Sequence, residues 1–185
     1  MKAILLTLCV GGLLFSAGCD RAEVQDKAVV PSMPVAQNVP VVPSNVAPSQ
    51  NISGRPKAVN FTLTQTKGGQ ASLDGLRNGG KAVIFFWATW CPHCREQLKE
   101  MSAQKKALEE LGAAVILVDI GEDKAAVDRF MAAKGYDFNV LLDLDSAVAE
   151  IYEIVGVPTI VFVGQDGTIL DSGNSFPENY VEILK

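Results

Sequence analysis

The stretch Phe-Phe-Trp-Ala-Thr-Trp-Cys-Pro-His-Cys, residues 85–94, constrains this chain more than any other. It closes an apolar run, residues 81–89, that is short, continuous and rich in strand formers, as a buried central strand would be. Pro92 follows, and proline is at home in the first position of a helix. Beyond it Leu98, Met101, Leu108 and Leu111 recur at helical spacing until Gly112, a helix stop. Cys91 therefore ends a strand and opens a helix, and Cys94 lies one turn further on.

The cysteine pair has three bland readings. As a structural staple it closes a very small loop and removes little chain entropy. As a structural zinc site it needs about four ligands. One cysteine pair and His93, the only histidine of the chain, do not supply them. Haem attachment wants histidine directly after the second cysteine, and Arg95 stands there. The working reading suits the surroundings better. A Cys91 thiolate at a helix start meets free backbone N–H groups and the positive end of the helix dipole. Both stabilise the anion and draw its pKa below the ~8.5 of a free thiol. Such a thiolate attacks a partner disulfide, and Cys94 then resolves the mixed disulfide. Trp90 is placed to shield the pair while leaving one sulfur accessible. His93 beside Cys91 favours the thiolate by charge or hydrogen bonding, and so favours the reduced form.

The remaining pattern is that of an α/β domain from about residue 57 to 185. Residues 58–66 alternate as a strand, and Gly68–Gly69 supply a hairpin turn. Residues 113–120 read as a second buried strand, 122–135 as an amphipathic helix stopped by Gly135, 138–143 as a short strand and 146–154 as a short helix. Residues 158–173 read as a hairpin turning at Gln165-Asp166-Gly167, and 177–185 as a last helix. Strands alternating with helices predict a sheet covered on both faces. Pro158 opens a strand after Val157, a place suited to a cis peptide bond. Having no N–H, it leaves neighbouring backbone free to pair with a substrate chain.

The N-terminus is built differently. Lys2, an apolar run from Ala3 to Phe15 and the small residues Ser16-Ala17-Gly18 form a secretory signal, residues 1–18. The run is too short to span ~30 Å of hydrocarbon as a helix comfortably. Ser16-Ala17-Gly18-Cys19 resembles the lipobox of bacterial lipoproteins, although Ser16 stands where leucine is usual. The resemblance implies lipidation of Cys19 and, with Asp20, retention in an inner membrane; ordinary cleavage near Gly18 is the alternative. Residues 19–56 hold six of the nine prolines and no aromatic residue, the composition of an extended spacer. A formal charge of −5 and the lack of a basic patch exclude nucleic acid as a natural partner.

The Cys-Pro-His-Cys motif, followed by Val155-Gly156-Val157-Pro158-Thr159, resembles the thioredoxin superfamily. Residues 60–91 are similar to the opening of its TlpA/ResA/CcmG-like branch of exported or tethered thiol–disulfide oxidoreductases. The resemblance implies a thioredoxin-like fold: a central mixed sheet flanked by helices, an N-terminal hairpin and a strand–helix insert at about residues 121–143. It implies Cys91 as nucleophile, Cys94 as resolving cysteine, Val157-Pro158 as the cis-proline segment, and no cofactor beyond the disulfide. Its partners would be protein thiols and disulfides, such as apocytochrome cysteines, and a membrane redox partner. Three departures stand out. Gln97 occupies the place of a branch glutamate, with Glu96 one residue early and about 100° away around the helix. Phe85 occupies the place of the buried aspartate of thioredoxin. The central Pro92-His93 is similar to DsbA, an oxidase. Reduction or exchange is the habit of the branch and the leading expectation; oxidation is the alternative. A peroxidase would want proline at Ile84, and a copper-handling protein a wider cysteine pair with a distant histidine.

Overall fold

The computed structural model describes residues 54–185. A β-hairpin, β1 (Thr62–Gln65) and β2 (Gln70–Ser72), leads into the short helix α1 (Leu73–Arg77). Then come β3 (Lys81–Trp87), α2 (Pro92–Glu110), β4 (Ala113–Ile120), α3 (Lys124–Lys134) and β5 (Asn139–Asp143). The chain closes with α4 (Ala147–Ile151), β6 (Thr159–Val163), β7 (Ile169–Gly173) and α5 (Tyr180–Ile183). The seven strands form one sheet in the order β2-β1-β5-β4-β3-β6-β7. Strands β3, β4 and β5 run parallel; β1 and β6 flank them antiparallel. This is the mixed sheet flanked by helices that the family resemblance implies.

Alternation along β3 divides the core. Val83, Phe85 and Trp87 join the layer packed beneath α2, α3 and α5, together with Cys91 and Cys94. Ala82, Ile84 and Phe86 join the opposite layer, with Leu73 of α1 and Val148 of α4. Because β3 is covered on both faces, every residue from Ala82 to Trp87 is buried, which is why its sequence is continuously apolar. The insert takes the form of a helix followed by a strand: α3 crosses over from β4, and β5 slots between β4 and β1.

Two expectations change. Strand β1 is shorter than residues 58–66, because the first of these residues have other partners. The Ala58 N–H donates to the Gly167 carbonyl, and the Asn60 side chain accepts from the Asp74 N–H. Helix α1 was not foreseen. It has only five residues and contains Gly75, so no period shows. Its ends are nonetheless well made: Ser72 Oγ accepts from the Gly75 N–H at 3.1 Å, and Asn78 closes it in the left-handed conformation. The entry of the domain is stitched to the turn between β6 and β7. Lys57 bridges Thr168, the Ile169 N–H donates to the Pro56 carbonyl, and Lys57 pairs with Asp166 at 3.1 Å. The signal segment, Cys9, Cys19, Asp20 and most of the spacer lie outside the described residues. Among the described residues no helix is long and apolar enough to cross a membrane.

Candidate active site

Strand β3 ends at Trp87 and the chain turns through Ala88, Thr89 and Trp90 into α2. Cys91 is the N-cap, in an extended conformation, with Pro92 in the first turn. Its sulfur accepts a hydrogen bond from the Cys94 N–H at 3.1 Å, filling the position a serine or aspartate oxygen takes in an ordinary cap. Cys91 and Cys94 are joined in a disulfide, their Cα atoms 5.2 Å apart. Cys94 is fully buried and Cys91 is 5% exposed, so Cys91 is the sulfur nearer solvent. No acidic side chain stands in the first turn of α2, so nothing there offsets the positive helix end facing Cys91.

The Val157–Pro158 peptide bond is cis. It sets the Val157 carbonyl oxygen 3.8 Å from Cys91 Sγ. Two segments 66 residues apart in sequence thus meet at the disulfide. Trp90 stands beside it with 63% of its surface exposed, and Val155 is fully exposed. Trp90 presents an open apolar face next to Cys91. His93 is also exposed, and its Nδ1 lies 3.3 Å from a Glu96 carboxylate oxygen.

Gln97 has a structural partner: its Oε1 accepts from the buried Phe176 N–H at 2.6 Å. A side chain in the position of the branch glutamate therefore ties α2 to the C-terminal segment, and it has no carboxyl to titrate.

Two residues escaped the sequence reading. Asp119, near the end of β4, is fully buried and lies opposite Trp87 in the β3–β4 register. One of its oxygens accepts from the Glu122 N–H at 3.3 Å, while Oδ2 has no partner. Burial, reinforced by the Glu122 carboxylate, pushes the Asp119 carboxyl up to about 8. Glu122 in turn accepts from the backbone N–H and, at 2.6 Å, the hydroxyl of Thr89, two residues before Cys91. The Thr89 carbonyl accepts from Arg95 Nε of α2 at 2.7 Å. The turn carrying Cys91 is thereby held from both sides. The one available signal was an acid set in an otherwise apolar strand. Among the described residues no group of three or more His, Cys, Asp and Glu side chains converges on a possible metal position.

A two-cysteine disulfide capping a helix at the end of a central strand, against a cis-proline loop from another strand, is the chemistry of a thioredoxin-like thiol–disulfide oxidoreductase. Comparison with known proteins places the chain more closely. It belongs to the AhpC/TSA family, whose model matches residues 55–172. It is 34% identical to the thiol-disulfide oxidoreductase ResA of Bacillus subtilis over 125 residues, covering 67% of this chain and 69% of that one. It is 30% identical to the soluble secreted antigen MPT53 of Mycobacterium tuberculosis over 152 residues, covering 77% and 84%. Among solved structures, the thiol:disulfide interchange protein DsbE of Chlorobium tepidum superposes with a TM-score of 0.63 at 23% identity, over 70% of this chain and 96% of that one. That likeness is one of fold.

Proposed function

We propose that this chain is an exported, membrane-tethered oxidoreductase that exchanges disulfides with protein substrates through Cys91 and Cys94, with reduction or exchange favoured over oxidation. The observation that carries this reading is the disulfide at the start of α2 with the Val157 carbonyl beside Cys91. In the reduced protein the Cys91 thiolate attacks a substrate disulfide. The substrate's S–S bond breaks as the Cys91–substrate bond forms, and one substrate sulfur leaves as a thiolate. Cys94 then attacks Cys91 Sγ and displaces the second substrate sulfur. The backbone around Val157 pairs with the extended substrate chain, and the exposed Trp90 packs on its apolar side chains. A membrane electron donor returns the pair to the dithiol. Likeness to the ResA sequence supports the reducing direction, and the signal-like N-terminus with Cys19 supports export and tethering.

Oxidation is the second reading, favoured by Pro92-His93. His93 next to Cys91 would stabilise the thiolate and make the disulfide the stronger oxidant. The reduction potential of the Cys91–Cys94 pair separates the two. Potentials of related centres run from about −270 mV for reductants to about −120 mV for oxidants. Equilibration with glutathione or dithiothreitol buffers is expected to place this pair near the low end, with catalysed reduction of insulin. A value near the high end overturns the reducing direction.

A further inference from the structure

Opening the Cys91–Cys94 disulfide creates a charge in a buried place. When a thiolate attacks Cys91 Sγ, the S–S bond breaks and its electron pair goes to Cys94, which is fully buried. An unpaired anion there is costly, so a proton must arrive with the electrons. Phe85 and Gln97 offer none. Among the described residues the buried polar side chains are Thr66, Gln97, Asp119, Asp143 and Thr168, and only the two aspartates carry a carboxyl group. Asp143 is committed to the start of α4, where its carboxylate accepts from the Val148 and Ala149 N–H groups. Asp119 is less committed: its Oδ1 accepts one long hydrogen bond, from the Glu122 N–H at 3.3 Å, and its buried Oδ2 has no hydrogen-bond partner. Along β4, Val115 and Leu117 belong to the layer containing Cys94, and alternation sets Asp119 on that same face. Its strand neighbours Trp87 and Leu142 are uncharged.

We propose that Asp119 is the proton-exchanging group of this centre: it gives its proton to Cys94 Sγ when the disulfide opens and takes it back when the disulfide closes. The first step leaves Cys94 as a thiol and Asp119 as a carboxylate. In the reverse step the Cys94 S–H bond breaks and the proton returns to Asp119. The sulfur's electron pair forms the bond to Cys91, displacing the attacking thiolate. The balance closes on the incoming thiolate and needs no other reactant. With a pKa of about 8, Asp119 is largely protonated in the oxidised protein at neutral pH, close to the ~8.5 of an ordinary thiol, so transfer is nearly balanced in both directions.

Several charged groups on the surrounding elements are engaged with other partners. Glu122 beside Asp119 accepts from Thr89, and Arg95 of α2 donates to the Thr89 carbonyl. On α3, Lys124 pairs with Asp128, and Asp123 caps the helix through the Ala126 N–H. His93 of α2 faces Glu96 at the surface.

This inference rests on the redox role proposed above for the cysteines, but its test uses a small thiol instead of a protein substrate. The opening rate of the disulfide by dithiothreitol, followed by tryptophan fluorescence and corrected for the reductant's own ionisation, is measured from pH 5 to 10. In the wild-type chain it is expected to fall through an inflection near pH 8. In Asp119→Asn the inflection disappears and the rate at pH 6–7 drops about 10²-fold. Profiles that agree within twofold overturn the assignment. A second measurement needs no variant: the Asp119 carboxyl is titrated by carbon-13 NMR in the oxidised and the reduced wild-type protein. Coupling is reciprocal, so the two curves must separate; coincident curves overturn the proposal even if Asp119→Asn does not fold. A protein that opens with this pH profile but leaves insulin intact sinks the protein-substrate reading and leaves the Asp119 assignment standing.

Discussion

At the scale of single residues, Asp119 links the site to the stability of the fold. A buried carboxyl titrating near 8 is protonated in the folded chain over a range in which the unfolded chain, near 3.8, has lost its proton. Folding therefore binds a proton between about pH 4 and 8. The stabilisation is complete below the unfolded value and is lost as pH rises through the folded one. The slope is at most about 1.4 kcal/mol per pH unit. Urea unfolding of the oxidised protein is expected to show wild type losing stability relative to Asp119→Asn between pH 5 and pH 8. A constant difference between the two would mean that Asp119 is ionised in the folded state. The two cysteines were legible from sequence because strand end, proline and helix start are local signals. Asp119 was not, because a single acid in an otherwise apolar strand gives no local sign of what it will face once the sheet is covered.

Elements carry the second lesson, through Gln97. Seen alone, it is a missing acid on an amphipathic helix. In the fold it is the buried acceptor for the Phe176 N–H, a contact across 79 residues that no local pattern announces. Tyr180 adds a second link, its hydroxyl donating to Gln104 Oε1 at 3.0 Å, so α2 and the C-terminal segment are joined along the helix. Gln97→Ala leaves a buried N–H without a partner and is expected to cost about 1–3 kcal/mol. Hydrogen exchange should quicken at Phe176 while the β3–β4 ladder stays protected. Unchanged exchange at Phe176 would mean that water replaces the amide. The long elements were read correctly, since β3 and β4 are unbroken apolar runs and α2 and α3 carry helical spacing. Of the short ones, β5, α4, the β6–β7 hairpin and α5 were found, but β1 is curtailed and α1 unannounced because side chains remote in sequence decide their ends.

For the whole molecule, the direction of electron flow is also a statement about stability. Chain entropy gives a disulfide closing so small a loop only about 2 kcal/mol of stabilisation. If the pair works as a reductant, the oxidised domain is expected to unfold at higher urea than the reduced one, by no more than about that amount. The reverse order is the signature of an oxidant, whose folded state prefers the dithiol. The stitching of Lys57 and Pro56 to the β6–β7 turn has a mechanical result. Strand β6 begins next to Pro158, beside the disulfide, and ends at that turn. The leading segment therefore joins the domain at one pole and the sulfurs sit at the other. Were the domain held through that segment, as the proposed tether would have it, the reactive end would face away from the anchor.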